Sequence, residues 1–189
     1  MPLEEVDVMK VVCVQSSPNT DGLTCRSAEA VLEGAKSAGA FTELVHLNKL
    51  MIESCRAHDG GWGTCLSGGK CSMEDDFQGL REKINRSDVL VFATPVYFGD
   101  LSESAKRFLD RWRRCEFFGR DSSPLKGKLA LGIAAAGGSG RGAVRALLKL
   151  EDYLAWLQFD IYDMVSVTQK NKSYKLDMLK AAGETIAKS

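Results

Sequence analysis

The chain has no surplus of either charge, since 25 Lys and Arg residues are balanced by 25 Asp and Glu. Without a global field it has no pull toward polyanions, which argues against nucleic-acid or membrane-surface binding. Long hydrophobic runs are also missing. The longest, LALGIAAAG from Leu129, falls well short of the ~20 residues needed to span a bilayer. The acidic start, MPLEEVDVMK, has neither the basic nor the apolar region of a secretory signal. A cytoplasmic protein is therefore expected. In that reducing setting six cysteines do not form a disulfide framework, and clustered ones point to metal, cluster or redox chemistry. No repeat, linker or low-complexity tract breaks the chain. A single domain over residues 1–189 is expected, with one Cys-rich excursion at about 53–75.

What is present is alternation of strand-length apolar runs with longer amphipathic segments. VMKVVCV from Val8 reads as the first strand, and a helical pattern from Leu23 to Ala38 ends at Gly39, the usual C-terminal glycine. FTELVHL from Phe41 alternates as a second strand, which places His46 at a core or rim position. In MEDDFQGLREKI, Asp75 or Asp76 can cap a helix whose Phe77, Leu80 and Ile84 share a face. DVLVFATP from Asp88 is continuously apolar, as a strand covered on both faces must be. Asp100 and Glu103 have capping-box spacing before a helix striped by Leu101, Ala105, Phe108, Leu109 and Trp112. A fourth strand from Lys128, a helix from Arg141, a fifth strand from Asp160 and a last helix from about Ser173 complete five β-α units. Such alternation predicts an α/β fold with a doubly wound parallel sheet and helices on both faces. Ligands then bind beyond the carboxyl ends of the strands, at the loops after strands one, three and four.

Each of these loops has a composition suited to a ligand. SSPNTDGLT (Ser16–Thr24) puts four hydroxyls, an Asn and a Gly at a helix N-terminus, where free N–H groups can hold a phosphate without a cationic side chain. It is neither a dinucleotide fingerprint nor a Walker loop. The other reading is a well-capped turn. TPVYFGD (Thr94–Asp100) offers aromatic cover for a flat cofactor, although Tyr97 and Phe98 also suit a core at a strand exit. AAAGGSGRG (Ala134–Gly142) has four glycines in six positions, which permits either close backbone approach to a ligand or a flexible connection.

The arrangement SSP-x-x-x-G-x-T after strand one, followed by TPVYFGDLSESAKRFLDR after strand three, resembles the flavodoxin-like NAD(P)H-dependent FMN reductase family, close to its iron–sulfur flavoprotein branch. The likeness runs from about Val8 to Val167. It implies a five-stranded flavodoxin-like sheet in order 2-1-3-4-5 and noncovalent FMN. It also implies NAD(P)H as co-substrate, and a homodimer or homotetramer whose subunit contacts complete the flavin site. By position, Ser16, Ser17, Asn19, Gly22, Leu23 and Thr24 would surround the phosphate. Thr94, Pro95, Val96, Tyr97, Phe98 and Gly99 would line the isoalloxazine, and Gly137, Gly138, Ser139 and Gly140 its other edge. Where the family often has Gly-Ser-Pro-Arg, this chain has Ser16-Ser17-Pro18-Asn19. Chemistry at flavin N5 requires no catalytic acid or nucleophile, so the resemblance implies an FMN-dependent oxidoreductase serving a small-molecule acceptor or a redox partner protein. An FMN electron carrier without NAD(P)H turnover and a non-catalytic FMN or zinc module are the alternatives.

Iron–sulfur flavoproteins carry a compact four-cysteine motif between strand two and the next helix. Here the spacing is Cys55-x2-His58-x6-Cys65-x5-Cys71, with only three thiols. A [4Fe–4S] cluster usually takes four. Three Cys and one His make an acceptable tetrahedral zinc set; a cluster with one His ligand and an empty covering loop anchored by Trp62 are the other readings. KRFLDRWRR (Lys106–Arg114) reads as a basic helix surface and MEDD as helix capping.

Overall fold

The computed structural model describes residues 8–189; the acidic start, Met1–Asp7, lies outside them. Five parallel strands form one sheet in order β2-β1-β3-β4-β5. They are β1 (Lys10–Gln15), β2 (Phe41–His46), β3 (Val89–Pro95), β4 (Leu129–Ala136) and β5 (Asp160–Thr168). This is the flavodoxin-like order. β3 is buried along its whole length, which is why its sequence is continuously apolar rather than alternating.

Between the strands run α1 (Leu23–Ser37), the short α2 (Thr64–Gly68), α3 (Phe77–Asn85), α4 (Glu103–Cys115), α5 (Ala143–Trp156) and, after β5, α6 (Lys172–Ile186). α1 and α6 cover one face of the sheet, where Val31, Ala35 and Leu179 pack on Val11, Val91 and Ile133. α3, α4 and α5 cover the other, where Phe77, Phe108, Trp112 and Leu150 pack on Val12, Leu90 and Phe92. α1 and α6 touch backbone to backbone at two glycines. A Cβ on Gly34 would lie 1.9 Å from the Lys180 carbonyl oxygen, and one on Gly183 2.0 Å from that of Val31.

Three local expectations are corrected. α4 is capped by Ser102, whose Oγ accepts from Ala105 N, whereas Asp100 accepts from the adjacent Leu101 N. The MEDD carboxylates hold the preceding loop instead of serving chiefly as caps: Asp76 accepts from Met51 N and Asp75 from Glu53 N, with one further bond from Phe77 N to Asp75. The basic surface of α4 is not a free cationic face. Arg107 pairs with Glu103 and Arg113 with Asp110, and Arg111 is buried. No helix of the described residues is long and apolar enough to cross a membrane.

Candidate functional site

The order 2-1-3-4-5 makes β1 and β3 the central neighbours, and the loops leaving β1, β3 and β4 meet beyond the carboxyl ends of these strands. β1 ends in a buried glutamine. Gln15 Oε1 accepts from Ser17 N, and its Nε2 donates to Ser17 O and to His46 Nδ1 at 2.7 Å. That last bond assigns the acceptor role to Nδ1. Burial and the neighbouring Lys49 charge hold the His46 imidazole below its ordinary pKa, against the opposing pull of Glu29. His46 is thus a rim residue that shapes the first loop.

Ser16 is fully buried and its hydroxyl is committed to the fold: it donates to Ala93 O and accepts from Ser102 Oγ at 2.9 Å. Ser104 Oγ and Asn48 Nδ2 both donate to Ser16 O. Thr94 is likewise internal, its Oγ1 accepting from Ser102 N. These two residues join the first loop to the β3 loop. Beyond them, Ser17 Oγ accepts from Asn19 N and Asn19 Oδ1 from Asp21 N, so the chain curls in two small side-chain turns onto α1. Gly22 takes the N-cap position without a side-chain cap, and no acidic residue occupies the first turn. The first N–H groups of α1, at Leu23, Thr24 and Cys25, therefore have no side chain assigned to them.

After β3 the backbone makes a tight reversal in which Tyr97 and Asp100 exchange both N–H···O bonds at 3.0 Å. Its central residues, Phe98 and Gly99, have φ of 53° and 82°, the signs of a type I′ turn. Phenylalanine in this region is a strained outlier. Its side chain is fully exposed, and Tyr97 is 48% exposed. A core role for the two aromatics is therefore excluded.

The third loop closes on the second. Gly142, with φ of 82°, packs on Gly99 so tightly that a Cβ there would lie 2.6 Å from Gly99 Cα. Gly137 and Gly138, by contrast, would meet nothing within 4 Å. Together with Val96, Phe98, Gly99, Ser139, Gly140, Arg141 and Arg145 they line an open cavity of about 480 Å³, a size suited to a small-molecule ligand. Arg145 carries no signal in the β-strand or glycine pattern, since it belongs to the first turn of α5.

The cysteine segment is a separate structure, held by arginines. Arg111 is 2% exposed. It pairs with Asp75 at 2.5 and 3.0 Å, donates to Glu53 O and to Cys71 Sγ, and lies over the Phe77 ring. Burial alone would raise the Asp75 carboxyl, but hydrogen bonds from Arg111 and from the Glu53 and Phe77 N–H groups bring it below its ordinary value. Arg81 reaches Gly69 O and Glu116, and Arg114 reaches Gly61 O. Cys55, His58, Cys65 and Cys71 border one cavity of only about 20 Å³. Three of the four side chains are in hydrogen bonds, Cys55 Sγ with Ala57 N, His58 Nδ1 with Ser72 Oγ at 2.5 Å, and Cys71 Sγ with Arg111. Among the described residues no group of three or more His, Cys, Asp or Glu side chains is placed to hold a metal ion. The expected zinc or cluster ligand set is thus not assembled. Cys13, Cys25 and Cys115 are buried.

Two iron–sulfur flavoproteins of Archaeoglobus fulgidus are 33% identical over 103 residues and 34% over 105, covering 54% and 56% of this chain. The matches cover 45% and 49% of those proteins, so the chain spans about half the length of these relatives. Among solved structures, an NAD(P)H:quinone oxidoreductase from Methanothermobacter marburgensis superposes with a TM-score of 0.70 at 21% identity, covering 95% of this chain and 96% of the other. At that identity the likeness is one of fold. The family model for NADPH-dependent FMN reductases matches residues 9–172, which include all three loops, and the chain belongs to that family.

Proposed function

We propose that the chain is an FMN-dependent oxidoreductase that takes hydride from NAD(P)H and delivers electrons to a small-molecule acceptor or a redox partner protein. The observation that carries this reading is the physical joining of the three switch-point loops, through Ser16–Ser102 and Gly99–Gly142. The residues present fit FMN. The uncapped first turn of α1, with Ser17, Asn19, Gly22, Leu23 and Thr24 around it, suits a phosphate because its N–H groups carry partial positive charge. Pro95, Val96, Tyr97, Phe98 and Gly99 suit one border of a flat ring system, and the open backbone at Gly137 to Gly140 suits the other.

When bound, FMN supplies hydride acceptance and one- or two-electron transfer. The chain's own work is then orientation and exclusion of water. Phe98, held in strained backbone and fully exposed, provides an apolar wall, and backbone N–H groups near Gly99 and Gly138 would be the donors to bound FMN. Exposed Val144 and Leu148, one turn apart on α5, favour a second copy of the chain covering this side, as a homodimer or homotetramer would.

The names of the Archaeoglobus relatives favour a second reading, an electron carrier that pairs FMN with a cluster. The Cys55–Cys71 segment does not fit a cluster as arranged, because among the described residues its Cys and His side chains are not brought together as a ligand set. No step is assigned to one. An absorption spectrum of anaerobically purified protein, with iron and zinc quantified, tests both readings. Flavin bands that bleach on addition of NADH or NADPH support the reductase. Flavin over iron–sulfur absorption, unresponsive to either nicotinamide, supports the carrier, and colourless protein that cannot be reconstituted with FMN overturns both.

A further inference from the structure

Two arginines, Arg141 and Arg145, line the cavity. The Arg145 guanidinium lies across Gly99, where a Cβ would sit 3.0 Å from both Nε and Nη2. Arg141 lines the same cavity from the glycine loop, and no carboxylate lines it. Other arginines beside carboxylates pair with them, Arg81 with Glu116, Arg107 with Glu103, Arg111 with Asp75 and Arg113 with Asp110; Arg141 and Arg145 differ in lining a cavity that holds no carboxylate. Among the described residues the guanidinium groups of Arg141 and Arg145 form neither an ion pair nor a hydrogen bond, the one bond at Arg141 being from its backbone N to Ser139 Oγ. Both stand at the start of α5, where the helix dipole disfavours positive charge. Two unpaired guanidinium groups on the rim of a ligand-sized cavity match a phosphate, which they bind through paired N–H donors.

We infer that Arg141 and Arg145 recognise a phosphate of the hydride donor as it enters the cavity. The inference rests on the reductase reading and deepens it, by naming the residues that select a phosphorylated dinucleotide. The phosphate has two sources, the 2′-phosphate that distinguishes NADPH from NADH and the diphosphate common to both. The first loop, Ser16–Thr24, has no arginine or lysine to make this choice.

The test is calorimetric titration of the FMN-loaded full chain, and of Arg141→Gln, Arg145→Gln and the double variant, with adenosine 2′,5′-bisphosphate and with ADP. FMN content is measured on each. The double variant is expected to bind adenosine 2′,5′-bisphosphate at least about tenfold more weakly, a difference well resolved by titration, with FMN content unchanged. Loss confined to that probe assigns the 2′-phosphate, and equal loss on ADP assigns the diphosphate. Wild-type protein that binds neither probe, or a double variant that binds both as tightly as wild type, overturns the inference while a retained, NAD(P)H-reducible flavin leaves the reductase reading intact. Conversely, protein that takes up no FMN but loses the probe on substitution refutes the reductase and leaves the phosphate site.

Discussion

Gly99 and Gly142 bring two loops from different β-α units into backbone contact, with room for no side chain between them: a Cβ on Gly142 would lie 2.6 Å from Gly99 Cα. Both have φ of 82°, a conformation that glycine adopts without steric cost. The contact fixes how far apart the proposed ring-binding edges stand.

Gly142→Ala is accordingly expected to lower stability by about 1–3 kcal/mol, from overpacking and left-handed strain together, and to weaken FMN retention. Gly138 provides the contrast. A side chain there meets nothing within 4 Å, so Gly138→Asp should fold with wild-type stability in urea yet fail to hold FMN. Tight retention by the Asp variant would remove Gly138 from the site.

The Arg111–Asp75 pair is the second testable element. Both side chains are nearly inaccessible, at 1% and 8% exposure, and removing one partner of a buried pair leaves a desolvated charge. Asp75→Asn should cost about 3–5 kcal/mol and release the cysteine segment, seen as faster proteolysis between residues 53 and 75. Because the folded Asp75 carboxyl lies below its ordinary 3.8, its contribution is complete above that value and lost as pH falls through the depressed folded pKa. The Asn variant should therefore show a flatter acid limb in stability against pH than the wild type.

The sheet was legible because parallel strands buried on both faces must be apolar throughout, as Val89–Pro95 is, and because glycine ends α1 where expected. What escaped were pairings between distant residues. Arg111 stands three residues after Phe108 and four before Cys115, on the buried stripe of α4, so its position did signal a hidden partner; nothing local identified that partner as Asp75, 36 residues away. The same holds for the segment Cys55–Cys71. Spacing alone suggested ligands, whereas guanidinium bonds to Gly61 O and Gly69 O, made from α4 and α3, decide its course. Ser16 was legible as a loop residue but not as an internal tie, because its partner Ser102 is 86 residues away.

The six cysteines should separate into two reactivity classes. Burial pushes the Cys25 thiol up to about 11, with Glu29 adding to the shift, and the Cys115 thiol up to about 12. Burial raises Cys13 further. The thiolate is the reactive species, so these three should resist an aromatic disulfide reagent in native protein at pH 8. Cys55 is exposed, and Cys65 and Cys71 are partly so. Labelling followed by peptide mass analysis should place native modification on Cys55 first and on the buried three only after denaturation; early labelling of Cys115 would contradict the packing of α4.

His46 links pH to the first loop. Its Nδ1 accepts from Gln15 Nε2, while Gln15 Oε1 is held by Ser17 N, so the amide cannot turn to accept from a protonated ring without giving up the loop. The imidazole is kept below its ordinary 6.5 by burial and then by the Lys49 charge, with Glu29 opposing. The unfolded chain therefore binds the proton at higher pH than the folded one. The stabilising contribution of neutral His46 is complete above 6.5 and falls away as pH drops below it. Two effects should follow together, a fall in unfolding free energy below 6.5 and a coincident rise in the FMN dissociation constant as the Gln15–Ser17 geometry loosens. His46→Gln keeps a polar side chain beside Gln15 but has no proton to gain in this range. FMN titrations of both proteins across pH 5 to 8 decide the matter: a wild-type dependence absent from the variant assigns the linkage to His46, whereas an identical dependence in both places it on another group.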